Sequence, residues 1–455
     1  MMRILTVNRK RRRFMQTRVA IVLLIAVALL VIDRAPNMVG AKSLTTESAV
    51  RSQIATVPML QGTFQTINNG PGNQTNPQID GNVVSYTNDD FQGSSTIHYR
   101  DFSTGMDNIA PGNALDLLSD VSGSRIAFTQ VEAAGENVVV FDTVSQTRTV
   151  IPRAHAADPS ISGDLVAFED WGFVADQSEI GIYNLSTGAL TRLTNDTSFD
   201  RRVDVSPTGN ALVWEKCQTD GLGCDVFAAL QTSPGVFTTT PISQSAGEDR
   251  QPHTNGDLVV YVSNKSGEND IYYRPLLGGA ETQLSLPGNQ LDPTISGDLI
   301  AFESQVQAGT EYDIFVYDIS AGELFQVTNT PGNETLSEVD ASNGIGHIVY
   351  AIPGFGDFDV YAFTFQVPSS SPNQINDLIA LVKSFNLPAG TANSLITKLQ
   401  DAQAAIDASD TATACDSLTA FINACQGQSG KKLTADQANQ LINSATQIKT
   451  TLGCQ

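Results

Sequence analysis

Asp158-Pro-Ser-Ile-Ser-Gly-Asp-Leu-Val-Ala-Phe-Glu169 returns almost letter for letter as Asp292-Pro-Thr-Ile-Ser-Gly-Asp-Leu-Ile-Ala-Phe-Glu303. Looser copies run over Asn76–Tyr86, Ser119–Phe128, Val205–Trp214 and Gln251–Tyr261, and a degenerate one over Asp340–Tyr350. The aromatic that closes each copy falls at 86, 128, 168, 214, 261, 302 and 350, a period of about 40 to 48 residues. Such a spacing belongs to units that cannot bury their apolar face alone and must stack on their neighbours.

Within a unit, a Gly turn (Gly81, Gly123, Gly163, Gly209, Gly256, Gly297) is followed by a β-branched or aromatic run such as Leu165-Val166-Ala167-Phe168. A polar loop leads to a second run, for example Ile180–Tyr183 or Ile314–Tyr317, and a further turn to an outer one, such as Leu190–Leu193. With the short segment before the Gly turn, each unit holds four antiparallel strands, which is a propeller blade. The expected fold is mainly β, a seven-bladed propeller, with six blades as the alternative if the copy at 340–350 is not a blade. Gly62–Ile67 resembles the outer strand Gly322–Val327, and no first three strands precede it. It is therefore expected to supply the missing outer strand of the last blade and so remove an open edge.

Five segments follow from composition: 1–41 a signal peptide, 42–60 a linker, 61–366 the propeller, 367–373 a Pro/Ser linker, and 374–455 a four-helix module. The leader has Arg9–Arg13 ahead of an unbroken apolar run from Val19 to Ile32, shorter than the twenty or so residues that span a bilayer. Val39-Gly40-Ala41 offers small residues for a cut before Lys42. A membrane contact is expected only through this segment, if it is not cleaved. The product is thus expected to be exported: periplasmic, cell-surface or secreted. Of 26 Lys/Arg and 48 Asp/Glu, eight and one lie in residues 1–41, leaving 18 basic against 47 acidic side chains in the remainder. No clustered basic face emerges for nucleic acid.

In an oxidising compartment the five cysteines become interpretable. Cys217 and Cys224 flank a short loop and suit a hairpin staple. In the C-terminal module, Ile375, Leu378, Ile379, Val382 and Phe385 mark one helical stripe, and Leu395, Ile396, Leu399, Ala402 and Ile406 another. Leu418, Phe421 and Ile422 mark a third, and Ala438, Leu441, Ile442, Ala445 and Ile448 a fourth. Thr434 and Gln437 form a capping box at the start of the fourth, and Gly453 suits its end. Antiparallel packing of the last two helices places Cys454 far from Cys425, so Cys415 is paired with Cys454 and Cys425 is left a buried thiol.

Asp249–Pro252, Ser206–Gly209, Asp270–Tyr273 and Arg192–Asn195 carry a pattern that resembles the TolB-type, WD-repeat-like propeller over residues 61–366. The resemblance implies the propeller fold and a setting among scaffolds, surface binding proteins and peptidase-attached domains. Leu378–Phe385, Phe421–Asn423, Ser429–Thr434 and Leu452–Cys454 resemble a FIMAH-type module, which implies a bacterial, extracytoplasmic host.

No G-x-S-x-G, H-E-x-x-H, P-loop or CxxC motif is present, and no cofactor or metal site is expected. His98, His155, His253 and His347 fall in different repeats and read as structural. Acids precede the third strand at Glu179, Asp225, Asp270, Asp313 and Asp359, and the first strand at Asp158, Asp249 and Asp292. First and third strands run the same way, so these acids approach one face. They are expected either to bond their own loops or to form an acidic rim for a basic partner or cation. The resulting expectation is an exported, non-catalytic binding or scaffolding protein for a protein or envelope ligand. The alternative is an extracellular enzyme, acting on glycan or peptide, with its site in the channel.

Overall fold

The computed structural model describes residues 57–455, except 103, 113–114, 175–176, 220, 306–309, 343, 355–356, 368–370, 386, 409, 453 and 455. The signal peptide (1–41), most of the 42–60 linker, residues 368–370 of the second linker and the Gly453 cap lie outside the described residues.

Twenty-eight strands form seven four-stranded antiparallel sheets, so the ring has seven blades. Counting from the N-terminus, the innermost strands are β2 (Asn73–Asp80), β6 (Asp116–Ser122), β10 (Ala156–Ser162), β14 (Phe199–Val205), β18 (Asp249–Thr254), β22 (Asn289–Ser296) and β26 (Thr335–Ser342). Each touches the next, and β26 touches β2, which closes the ring around a central channel.

The periodic aromatic explains why the blades stack. Tyr86, Phe128, Phe168, Trp214, Tyr261, Phe302 and Tyr350 are all buried. Each lies on the second strand of its blade and packs against the blade before it. Phe168 meets Ala127, Val138 and Val140; Trp214 meets Ala167, Ile180 and Ile182; Tyr86 reaches across the closure to Val349, Val360 and Ala362. The period of two along a strand sends the next residue the other way, so one strand cements two blade interfaces. At roughly 1.5–3 kcal/mol for each large side chain buried, these wedges dominate the ring's stability.

The N-terminal strand β1 (Gly62–Asn68) pairs antiparallel with β28 (Phe358–Gln366) and completes blade seven in the order β1-β28-β27-β26. Phe64 lies against Phe363 with ring centroids 4.6 Å apart. Residues 58–60, expected to be linker, are instead paired. The Leu60 N–H donates to Gln326 O at 2.8 Å and the Gln326 N–H to Pro58 O at 3.0 Å, on the outer edge of blade six. The chain thus spans the outer edges of blades six and seven before it enters blade one.

Four helices follow: α1 (Ser371–Ser384), α2 (Ala389–Asp407), α3 (Thr411–Gln428) and α4 (Ala435–Thr451). The apolar stripes meet in one core that includes Leu378, Leu399, Phe421 and Leu441. Thr434 and Gln437 cap α4 reciprocally, each backbone N–H donating to the other's side-chain oxygen, at 3.0 and 3.1 Å. Disulfides join Cys217 to Cys224 and Cys415 to Cys454, while Cys425 is a buried free thiol. The two disulfides indicate an oxidising compartment. No helix among the described residues is long and apolar enough to cross a membrane.

Candidate active site in the propeller channel

Every inner strand carries a bulge against its neighbour at the same place in the repeat. In six blades the bulge residue is left-handed: Asn76, Leu118, Asp158, Arg202, Gln251 and Asp292, with φ between 45° and 53°. Pro follows at 77, 159, 252 and 293, which disfavours the right-handed helical alternative at the preceding residue. A left-handed residue other than Gly costs of order 1–3 kcal/mol and persists only where its surroundings over-determine it.

Those surroundings are side chains reaching across blade boundaries. Glu169, Glu215 and Glu303 accept the N–H of Arg202, Gln251 and Leu336 at 3.0, 2.8 and 2.8 Å. One layer along the channel, Asp120, Asp204 and Glu338 accept from Ile161, Thr254 and Ile79 at 2.7, 2.8 and 2.7 Å. The recurring Phe-Glu that ends the signature therefore locks the bulge of the following blade.

At this repeat position, blades three to six carry residues that are ionisable or strongly polar: Asp158, Arg202, Gln251 and Asp292. Arg202 keeps 45% of its side chain accessible and feels the carboxylates of Glu215, Asp292, Asp158 and Glu169, which come from blades three, four and six. Its nearest carboxylate is Glu215, at 3.7 Å from Nε. Glu215 is already engaged by Arg201 at 3.0 Å, with Arg250 at 3.8 Å. Gln251 bonds Asp292 through its side-chain amide, and its carbonyl oxygen accepts the Asp292 N–H at 3.2 Å.

Two residues beyond Arg202, Asp204 faces His253 of the next blade, with Oδ1 at 3.6 Å from Nδ1. Burial pushes the Asp204 carboxyl up to about 7 and the His253 imidazole down to about 4. Near neutral pH the imidazole is therefore neutral and Asp204 is divided between its acid and carboxylate forms, so no ion pair forms between them. Burial likewise raises Asp120 to about 7 and Glu169 to about 8. Burial also raises Asp158 and Asp292, with Arg202 pulling both back toward the ionised form. An acid, a neutral base and a cation are thus held on adjacent rigid strands, the equipment of general acid–base chemistry near pH 7.

Most of the eight acids named from the sequence bond within their own blades. Asp158 and Asp292 line the channel. Glu179 pairs with Arg192 at 2.7 Å and accepts the Asp196 N–H at 3.1 Å, within its own blade. Asp270 accepts from Gln283 at 2.9 Å, Asp313 from Gln326 at 3.2 Å and Asp249 from Ser245 at 3.1 Å. Asp225 lies near Asp249 and Glu248, and Asp359 near Asp357. Arg202, Asp204 and His253 were not expected at a site. Their signal is the departure from the repeat: they stand in columns that hold Asp158 and Ser160 in blade three and Asp292 and Thr294 in blade six. Two surface cavities of about 310 and 260 Å³ lie away from the channel, lined in part by Gln130 and Arg148 and by Arg125 and Asp142.

Glu215, Cys217 and Cys224 converge closely enough for a metal ion, but both sulfurs are consumed in the disulfide and Arg201 lies against the carboxylate.

No protein-family model matches the sequence, and no curated protein is similar to it. Among solved structures, the chain is similar to the β-propeller domain of the Trilobed protease from Pyrococcus furiosus, with 10% identity, TM-score 0.51, and 66% of this chain and 99% of that one covered. That propeller has an open velcro topology, whereas β1 closes this one. The chain is also similar to an oligogalacturonate lyase in complex with manganese, with 13% identity, TM-score 0.51, and 68% and 95% covered. A Pyrococcus horikoshii acylaminoacyl peptidase matches at 11% identity and TM-score 0.48, over 65% of this chain and 52% of that one. The expectation of a non-catalytic binding or scaffolding protein is corrected here. The two solved structures similar at TM-score 0.51 are a protease propeller domain and a lyase, which favours the enzyme alternative. At these identities the likeness shows the propeller fold alone, and the seven blades come from the strand order.

Proposed function

We propose that the chain is an exported enzyme that cleaves glycosidic bonds in the propeller channel. The observation that carries this reading is the Asp204–His253 pair beside Arg202, 3.6 Å apart on consecutive inner strands and partly buried. Asp204, in its protonated form, delivers a proton to the leaving oxygen as the glycosidic C–O bond breaks. His253 takes a proton from the attacking water, whose oxygen forms the new bond to the anomeric carbon. The carboxylate of Asp292 stabilises the positive charge that develops on the sugar.

Glycan rather than peptide chemistry is supported in two ways. Carboxyl groups whose burial raises them toward neutrality, as at Asp120, Asp204 and Glu169, suit the general acid of glycosidic cleavage. In addition, the ring corresponds to nearly the whole of a lyase but to one domain of a protease. The basic–apolar leader, the two disulfides and the likeness to TolB-type and FIMAH-type modules support an extracytoplasmic bacterial setting. The test is incubation of the full chain with a panel of polysaccharides and peptides. New sugar ends are expected on at least one glycan and are lost in His253→Ala. Peptide cleavage alone, or no cleavage of any glycan, overturns the reading.

A further inference from the structure

Resting on that reading, we propose that Arg202 is the recognition point for a carboxylate on the sugar, so that the glycan taken is one built from uronic acids. Of the seven equivalent channel positions, namely Asn76, Leu118, Asp158, Arg202, Gln251, Asp292 and Leu336, only this one is cationic. Its guanidinium makes no hydrogen bond to any described residue, and its nearest contact, Glu215 at 3.7 Å, is too long for one.

Glu215 attracts Arg202 electrostatically but takes no hydrogen bond from it. Glu215 is 1% exposed, pairs with Arg201 at 3.0 Å and accepts the Gln251 N–H at 2.8 Å. Arg250 turns to Glu248 at 2.5 Å. Three guanidiniums therefore surround one buried carboxylate, and only the planar fork of Arg202 projects into the channel with its donors unspent. That fork matches a carboxylate bidentately. Asp158 and Asp292 flank it, and Gln251 lies between Arg202 and Asp292 in blade order. Such groups suit the hydroxyls of a sugar ring whose carboxylate is anchored on the arginine.

The remaining groups set a condition on binding. Asp158, Glu169, Glu215 and Asp292 all act on Arg202, with Arg201, Arg250 and His253 nearby. Fully ionised, these carboxylates repel an anion. Protonated, Glu169 ceases to, while a uronate is still charged. Uronate binding therefore tightens as pH falls below about 8.

Titration calorimetry of the full chain with a short oligogalacturonate and with a neutral galactose oligomer of equal length tests this. The uronate is expected to bind at least about tenfold more tightly. Arg202→Gln should erase that preference without weakening the neutral sugar, and Arg202→Lys should retain part of it. Thermal melting of each variant identifies any that has lost its fold. Equal affinity for both sugars, or a preference that survives Arg202→Gln in a folded protein, overturns the proposal while glycan cleavage stands. No binding of any glycan removes the enzyme reading as well.

Discussion

Glu169, the last residue of the signature phrase in blade three, accepts the backbone N–H of Arg202 in blade four at 3.0 Å. A repeat element thereby fixes the left-handed backbone from which the channel arginine projects. Burial keeps this carboxyl protonated up to about pH 8, so the amide of glutamine is close to its native form. Glu169→Gln should cost about 0.5 kcal/mol or less. Glu169→Ala leaves a buried N–H without a partner and should cost about 2 kcal/mol, measured by chemical denaturation.

Ring closure rests on β1. Deleting residues 57–68 uncovers the edge of β28 and removes the Phe64–Phe363 contact and the buried Ile67. A fall in Tm of roughly 10 °C or more is expected, with oligomers forming through the bare edge in light scattering. An unchanged Tm would mean that β1 adds no stability to blade seven.

Much of this fold was legible because it repeats. The Gly turns, the closing aromatics and the likeness of Gly62–Ile67 to an outer strand all recur at fixed offsets, and each has one physical meaning. The site was less legible for the opposite reason. Arg202, Asp204 and His253 matter because they break the repeat, and a residue's place on a bulge is set by backbone geometry that letters show only as Asp-Pro, Asn-Pro or Gln-Pro. The acids before the third strand share a chain position, yet their partners are local: Arg192 for Glu179 and Gln326 for Asp313.

The channel carboxyls also set how stability varies with pH. Asp120 and Asp204 hold their protons up to about pH 7 when folded, against an ordinary carboxylate value near 4 when unfolded. The folded state therefore binds more protons, and this contribution is complete below pH ~4 and lost as pH rises through 7. Tm should be higher at pH 5 than at pH 8.5. Replacing both by Asn should flatten that slope.

Cys425 offers a separate check on the helical module. Burial pushes its thiol up to about 12, and it is the free cysteine left by two disulfides. An aromatic disulfide reagent should find no reactive thiol in the native chain and one per chain after unfolding. Reaction in the native state would place this residue outside the helical core.

The most direct measurement is the turnover of Asp204→Asn on the glycan that the native chain cleaves, with Tm recorded alongside. Asparagine keeps an oxygen for the Thr254 N–H but cannot deliver a proton. A loss of kcat of roughly a hundredfold or more with the fold intact is the predicted result. Native turnover by this variant would contradict a proton-transfer site in the channel.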